Sequence, residues 1–169
     1  MTLHLVLFCW VLRAMIELAP GRNHTALASA ITTAALEQPP LFRDDPWYLR
    51  TVSTMTAVSF RESGFVDTAV GDHGESFGAF QQNSASGGSR ELLGHPLAQA
   101  RMARRWLGLS VRACPEYPIA HYASGPGGCT NARAQRISRD RMSIAAKIAK
   151  LPSESVATSQ LDVGDHDHQ

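Results

Sequence analysis

Residues 60–65 read Phe-Arg-Glu-Ser-Gly-Phe, and residues 71–81 read Gly-Asp-His-Gly-Glu-Ser-Phe-Gly-Ala-Phe-Gln. The first stretch places Glu62 between two phenylalanines, and the second is a glycine-rich turn that carries further carboxylates. A carboxyl group that is partly removed from water keeps its proton to a higher pH, because burial disfavours the charged form. We therefore expect Glu62 to act as a general acid and Asp72, in the more polar turn, to remain a carboxylate.

The residues before Glu62 predict a helix that ends there. Asp45 followed by Pro46 is a typical helix start, since proline suits the first helical position. Apolar and small residues then recur at helical spacing, so the helix is expected to pack against a core. The partial negative charge at a helix C-terminus raises the pKa of a carboxyl group placed there, in the same direction as burial.

This part of the chain resembles the lysozyme-like proteins, namely the soluble lytic transglycosylases and goose-type lysozymes. Those proteins start their site with Glu-Ser or Glu-Thr, as at residues 62–63, and continue with Gly-Leu-Met-Gln, where residues 78–81 read Gly-Ala-Phe-Gln. The goose-type branch has the pattern Gly-Asp-x-Gly-x-x-Phe-Gly-x-x-Gln, and residues 71–81 match every fixed position. The family also has Tyr-Asn-x-Gly, where residues 122–125 read Tyr-Ala-Ser-Gly. The resemblance extends over residues 47–148.

The resemblance implies an all-α, lysozyme-like domain that cleaves the β-1,4 bond between N-acetylmuramic acid and N-acetylglucosamine in peptidoglycan. Glu62 would protonate the glycosidic oxygen, and the hydroxyl of Tyr122 would orient Glu62 by a hydrogen bond. Gln81, together with the backbone around Gly78, would position the sugar, and no metal or organic cofactor is needed. The implied substrate-binding residues are Ser63, Gly78, Gln81, Asn83 and Tyr122.

Two departures from the family leave the outcome of cleavage open. Asn83 stands where the goose-type branch has a second aspartate, and Ala123 stands where the family has an asparagine. A lytic transglycosylase needs no second carboxylate, because the acetamido oxygen of the substrate serves as the nucleophile and Glu62 then accepts a proton from the muramic acid 6-hydroxyl. In a goose-type inverting hydrolase, Asp72 or, less readily, Asn83 would hold the attacking water. A third alternative is a non-catalytic module that binds glycan or scaffolds an envelope or phage-tail assembly.

The cysteines Cys9, Cys114 and Cys129 allow two interpretations. A disulfide between Cys114 and Cys129 would close a loop that contains Tyr122 and would stabilise the protein by roughly 3 kcal/mol. It would also indicate an oxidising compartment, and hence a protein of the cell envelope or a secreted one. The alternative is three free thiols in a cytosolic protein.

The apolar segment of residues 1–22 also allows two interpretations. Residues 3–12 have the length of the apolar part of a secretion signal, but no Lys or Arg precedes them. The favoured interpretation is a buried first helix that Pro20 ends, and the length and charges of the segment exclude a membrane span. The predicted buried stripe of this helix comprises Leu5, Phe8, Cys9, Leu12, Met15, Ile16 and Ala19.

The rest of the chain sets the domain and partner predictions. Residues 23–150 are expected to form the catalytic domain, and residues 151–169, rich in Ser, Thr, Asp and His, a disordered tail. The net charge of +1 argues against nucleic acid as a partner, so a monomer that acts on peptidoglycan glycan strands is expected. The alternating Asp and His at the C-terminus lack the further ligands that a fixed metal site requires.

Three features near the motifs are assigned structural roles. Trp106 is expected to pack in the core with Met102 and Leu109 rather than stack on a sugar, because the three share a helical spacing. The loop of residues 84–90 is expected to be a plain connector. A group of arginines is expected to form a solvated helix face rather than a basic strip beside a cleft; they are Arg101, Arg104, Arg105 and Arg112.

Overall fold

The computed structural model describes residues 1–151 and shows a mostly helical protein. Within these residues the α-helices are α1 (Leu3–Leu18), α2 (Thr25–Leu36), α3 (Leu49–Ser63), α4 (Pro96–Ala113), α5 (Ala120–Ser124) and α6 (Ala132–Ile148). Three short strands form an antiparallel sheet in the order β1 (Val70–Gly71), β2 (Ser76–Phe77) and β3 (Gln82–Asn83). The helical class expected from the sequence is confirmed, and the small sheet is an addition to it. The predicted C-terminal tail lies, apart from Leu151, outside the described residues.

Helix α3 runs through the centre of the molecule. Every residue from Thr51 to Ser59 is buried, and the helix contacts α1, α2, α4 and α6. Two of its threonines satisfy their hydroxyls within the helix, as Thr54 and Thr56 donate to the carbonyls of Arg50 and Val52 at 2.8 Å. A helix enclosed on all sides can carry such residues, because each buried hydroxyl that bonds a carbonyl avoids the cost of an unpaired polar group.

Helix α3 starts later than Pro46, where the sequence predicted it. Tyr48 has a left-handed backbone, with a φ of 59°, and this turns the chain immediately before the first helical residue. Asp45 nevertheless supplies the acceptors for the start of the helix. Its carboxylate accepts hydrogen bonds from the backbone N–H groups of Arg50 at 3.1 Å and Thr51 at 2.7 Å. The predicted start was wrong because an extra turn separates the capping side chain from the helix.

Helix α1 packs into the same core as the rest of the described chain. Leu7, Val11 and Met15 are buried in it, and the helix contacts α2 and α3. The predicted stripe was right in part: Met15 is buried, and Phe8, Leu12 and Ala19 pack against the core. It was wrong for Leu5 and Ile16, which are 46% and 50% exposed, and for the exposed Cys9. Apolar residues run almost without interruption through α1, so their spacing does not single out one face. None of the helices in residues 1–151 combines the length and apolar character needed to span a bilayer.

The arginines of α4 do not form one solvated face. Arg104 is only 3% exposed and donates a hydrogen bond to the carbonyl of Pro39. Desolvation lowers the pKa of Arg104, although the group remains a cation at neutral pH. Arg101 forms an exposed ion pair with Glu37, with a nitrogen to oxygen distance of 2.6 Å. The prediction was therefore wrong for Arg104, which links α4 to the segment that follows α2.

A buried glutamine holds the region around the small sheet onto α4. The Oε1 of Gln99 accepts from the backbone N–H of Ala79 at 2.7 Å, and its Nε2 donates to the carbonyls of Asp67 at 2.7 Å and Leu92 at 2.6 Å. The residue is fully buried. Gly78, with a φ of 77°, lies so close that a Cβ there would collide with the Gln99 amide. One side chain thus fixes three separate stretches of backbone.

We expect Gln99→Leu to lower the free energy of unfolding by about 3–5 kcal/mol, because buried backbone groups left unpaired cost roughly 1–3 kcal/mol each. Urea unfolding followed by circular dichroism measures this. The matched control is Gln38→Leu at an exposed position, which should change the free energy of unfolding by less than about 0.5 kcal/mol. Equal effects of the two substitutions would contradict the role assigned to Gln99.

Candidate active site

A cavity of about 580 Å³ lies between the end of α3, the small sheet, α4 and α5. Its volume is in the range of roughly 300–1,000 Å³ that is typical of small-ligand sites. The predicted site residues that line it are Glu62, Asp72, Gln81, Asn83 and Tyr122. Ser63 and Gly78 are not among the residues of its wall. The fold therefore brings most of the predicted site together, although these residues come from α3, β3, α5 and the two turns that join the strands.

Glu62 lies in the last turn of α3, and its side chain is 19% exposed. Burial raises the pKa of Glu62, and this is the dominant effect. The neighbouring charge and hydrogen bond of Arg141 lower the pKa, whereas the negative charge of Asp72 raises it. The net result is a pKa above the usual value for a glutamate, in the direction that the sequence predicted.

The two phenylalanines beside Glu62 are not part of the cavity wall. The rings of Phe60 and Phe65 lie 5.5 Å apart, against each other, and neither lines the cavity. The sequence also gave no indication of Arg141 on α6, whose Nη2 donates to Oε1 of Glu62 at 2.6 Å. The two residues are 79 positions apart, and Arg141 is one of several arginines on its helix, so no local pattern marks it as the partner.

Asp72 reaches the cavity from a turn with an unusual backbone. Both Asp72 and His73 are left-handed, with φ values of 48° and 56°. The hydroxyl of Ser76 donates to Oδ2 of Asp72 at 2.6 Å and so fixes the carboxylate. Left-handed backbone costs a residue with a Cβ roughly 1–2 kcal/mol. Surrounding contacts must therefore hold the turn, and such conformations concentrate at functional sites.

Gln81 braces this turn from within. Its Nε2 donates to the carbonyl of Gly78 at 2.9 Å, and a Cβ on Gly71 would collide with its Oε1. The backbone N–H of Gly78 donates to the carbonyl of Ala69 at 2.8 Å. Both backbone groups of Gly78 thus bond within the protein, so the structure shows a packing role for this glycine, and its predicted contact with a sugar stays a prediction. Gln81 does line the cavity, and its predicted role in substrate binding stays a prediction.

Ser63 also has an internal role. Its hydroxyl donates to the carbonyl of Ala79 at 2.9 Å and accepts from the backbone N–H of Val66 at 3.0 Å. The first bond ties the end of α3 to the turn after β2, and the second closes the turn that follows α3. The structure therefore shows Ser63 holding the end of α3 in place, and its predicted contact with substrate stays a prediction.

Tyr122 lines the cavity but does not make the predicted hydrogen bond to Glu62. Its hydroxyl donates to the carbonyl of Phe80 at 2.7 Å. Burial raises the pKa of Tyr122 well above its ordinary value, and the negative charge of Glu62 raises it further. Tyr122 is thus close enough to Glu62 for the charge of Glu62 to change its pKa. The side chain that donates a hydrogen bond to the Glu62 carboxylate is, however, that of Arg141.

One wall of the cavity is formed by the 84–90 loop and Trp106, for which only structural roles were predicted from the sequence. Ala85 and Ser86 of the 84–90 loop line it, and Asn83 shapes this loop by accepting from the N–H of Ala85 at 3.0 Å. Trp106 lines it too, and its Nε1 donates to the carbonyl of Ser86 at 3.1 Å. Helix α4 instead buries the neighbouring Leu107 in the core. The prediction of a core tryptophan was therefore wrong by one position on the helix.

A disulfide encloses the opposite wall. Cys114 and Cys129 are bonded, as one of the two interpretations predicted, with their Cα atoms 5.3 Å apart. Cys9 is free and exposed. The lining residues 121–126 all belong to the loop that the disulfide closes. Because the bond restrains both ends of this loop, it holds the wall that carries Tyr122.

The chemistry available in this cavity is that of two carboxyl groups and an indole. Glu62, with its raised pKa, is suited to donate a proton, and Asp72 lies in the same wall to interact with a water molecule or a developing positive charge. Within residues 1–151, no group of three or more His, Cys, Asp or Glu side chains is arranged to hold a metal ion. Comparison of the chain with models of protein families, with curated proteins and with solved structures finds no match.

We expect a double variant, Cys114→Ser with Cys129→Ser, to lower the free energy of unfolding by about 3 kcal/mol. Hydrogen exchange should become faster at the backbone amides of residues 121–125, because the loop that forms this wall loses its restraint. Mass spectrometry of deuterium uptake measures the change. Cys9→Ser is the control and should alter neither quantity. Unchanged exchange in the double variant would contradict the role given to the disulfide.

Proposed function

We propose that this protein is a muramidase that cleaves the β-1,4 bond between N-acetylmuramic acid and N-acetylglucosamine, as a lytic transglycosylase. The observation that carries the proposal is a carboxyl group of raised pKa, Glu62, in the wall of a cavity of ligand size. A general acid that works near neutral pH needs such a pKa. The resemblance of residues 60–81 and 122–125 to lysozyme-like proteins supports the same reaction.

In this reaction Glu62 acts first as an acid and then as a base. It donates its proton to the glycosidic oxygen while the bond from that oxygen to C1 of the muramic acid breaks. The acetamido oxygen of the same sugar bonds to C1 and stabilises the developing positive charge. The 6-hydroxyl then displaces the acetamido oxygen from C1 and passes its proton to the Glu62 carboxylate. The products are a 1,6-anhydro sugar and a free 4-hydroxyl, and the acid is regenerated.

A hydrolase is the second candidate, and the position of Asp72 favours it. Asp72 lines the same cavity as Glu62, and its carboxylate is fixed by Ser76. A carboxylate so placed could act as the general base that activates a water on the face of the sugar opposite the acid, as inverting glycosidases do. The product would then carry a reducing end in place of the anhydro ring.

The third candidate is a glycan-binding module without turnover, and the ion pair of Glu62 with Arg141 favours it. A guanidinium bonded to the carboxylate stabilises the ionised form, which has no proton to donate. For every candidate, the disulfide supports a location in the cell envelope or outside the cell, because such bonds persist in oxidising compartments.

The decisive experiment is digestion of purified peptidoglycan by the wild type and by Glu62→Gln, with the soluble products resolved by mass spectrometry. We expect the wild type to release anhydromuramyl products and Glu62→Gln to lose at least about 100-fold in rate, the scale of a general acid's contribution. Asp72→Asn should retain the anhydro products if the protein is a transglycosylase. Reducing-end products that disappear in Asp72→Asn would establish the hydrolase.

The matched control for this experiment is Glu37→Gln. It makes the same chemical change in an exposed ion pair with Arg101, outside the cavity, and should leave the rate unaltered. Turnover by Glu62→Gln at the wild-type rate would contradict the proposed role of Glu62. Binding to peptidoglycan with no products from any of the proteins would overturn both enzyme proposals and leave the binding module.

The position of Trp106, half-buried in the cavity wall, predicts a role in substrate affinity. Its indole is held by Ser86 and presents a large apolar surface on which a sugar ring can stack. We expect Trp106→Ala to raise KM by about tenfold, equivalent to about 1.4 kcal/mol, with a smaller change in kcat. The control is Trp47→Ala, since Trp47 is 72% exposed and lies outside the cavity. A KM for Trp106→Ala equal to that of Trp47→Ala would contradict a role of Trp106 in substrate affinity.

A further inference from the structure

Two adjacent ion pairs join the end of α3 to α6. Arg61 pairs with Asp140, and Glu62 pairs with Arg141, each with a nitrogen to oxygen distance of 2.6 Å. The order of charges on one helix is the reverse of the order on the other, so each residue meets an opposite charge. The outer pair, Arg61 with Asp140, is about half exposed. In the inner pair, the side chains of Arg141 and Glu62 are only 11% and 19% exposed. The inner pair therefore operates where water screens it least.

Stability alone is a poor explanation for the inner pair. Removing two charges from water costs about as much as their attraction returns, so apolar residues of similar size commonly stabilise such a site at least as well. Arg141 is also incompletely satisfied, because its buried Nε has no hydrogen-bond partner among the described residues. A buried, partly unsatisfied arginine aligned on the candidate acid is better explained by an effect on that acid.

We propose that Arg141 is a positioning residue for Glu62: its guanidinium holds Oε1 of the carboxyl group and leaves the other oxygen to exchange a proton with the substrate. This inference rests on the proposed function. The outer pair of Arg61 and Asp140 supports it by fixing α6 against the last turn of α3. The arrangement accounts for the absence of a hydrogen bond between Tyr122 and Glu62, since the orienting contact comes from α6 instead.

The charged and titratable groups around Glu62 define what Arg141 does to its proton. Asp72 faces it from the turn after β1, Tyr122 and His121 from α5, and Arg141 from α6. Burial and Asp72 favour the protonated form of Glu62, which is needed for bond cleavage. Arg141 opposes them and favours the carboxylate, which is needed to accept the proton of the 6-hydroxyl. Removal of Arg141 should therefore raise the pKa of Glu62 and leave its side chain without its orienting contact.

The test compares Arg141→Gln and Arg141→Lys with the wild type, with kcat and KM on peptidoglycan measured across pH. We expect Arg141→Gln to lose about 10- to 100-fold in kcat, as misplacement of a catalytic group commonly does, with little change in KM. The alkaline limb of its pH profile, where the acid loses its proton, should move to higher pH. Arg141→Lys keeps the positive charge but loses the planar guanidinium with its several N–H donors. The alkaline limb of its pH profile should therefore stay near that of the wild type, while kcat still falls.

The matched control is Arg136→Gln, which removes an exposed arginine from the same helix and should leave the pH profile unchanged. Wild-type kcat and an unshifted alkaline limb in Arg141→Gln would overturn the inference. If Arg141→Gln does not fold, Arg141→Lys decides, because wild-type kcat in that variant would also overturn it.

A measurement without turnover separates this inference from the proposed function. Carbon-13 NMR of labelled glutamate side chains, with the Glu62 signal assigned by its loss in Glu62→Gln, reports the ionisation of Glu62 directly. We expect its titration to move to higher pH in Arg141→Gln and to remain in place in Arg136→Gln. An active wild type with no such shift would overturn the inference alone. A wild type without turnover would overturn the proposed function, and the NMR shift would then show whether Arg141 still controls the Glu62 proton.

Discussion

The carboxyl group of Glu62 stands at the end of a helix whose middle is entirely enclosed, and this placement constrains the rest of the site. At this position the carboxyl group of Glu62 is largely removed from water. The fold must therefore either keep the group protonated or place a positive charge beside it. It does both in part: burial raises the pKa of Glu62, and Arg141 reaches it from α6 to lower that pKa again. The contact between two helices therefore also sets the balance between the two forms of the candidate acid.

The turn that carries Asp72 depends on a second set of buried interactions. Asp72, His73 and Gln81 all have left-handed backbone, a conformation that residues with a Cβ adopt at a cost. Gln99 and Ser63 offset that cost by bonding the backbone on either side of the turn. Because neither Gln99 nor Ser63 lines the cavity, the groups that form its wall are held by a frame outside that wall. Such support is what keeps a site within the narrow tolerances that catalysis requires.

The two remaining walls are restrained by different means. On one side, the indole of Trp106 bonds the carbonyl of Ser86 and so joins α4 to the loop after β3. On the other side, the disulfide between Cys114 and Cys129 closes the loop that carries Tyr122. A covalent restraint is useful there, because residues 121–126 include only a short helix and a glycine-rich turn.

Much of the local structure follows from signals within a few residues. Asn131 at the start of α6 is such a signal, since its Oδ1 accepts from the N–H of Ala134 as a helix cap does. The sequence placed Glu62 at a helix end and predicted the bond between Cys114 and Cys129 as one of two alternatives. Several of its errors concern which way a helix faces. In α1 and α4 the apolar residues are too frequent for their spacing to choose between adjacent faces, as Leu5 and Trp106 show.

The sequence by itself determined the helical class, the ends of several helices, and the grouping of Glu62, Asp72 and Gln81 in one short stretch, because caps, glycines and periodicity act over a few residues. Only the tertiary structure decided which distant groups meet them. Arg141 lies 79 residues from Glu62, and Gln99 acts on backbone carbonyls that carry no sequence signal. Such contacts depend on how each helix is rotated and packed, and that is settled by the whole core at once.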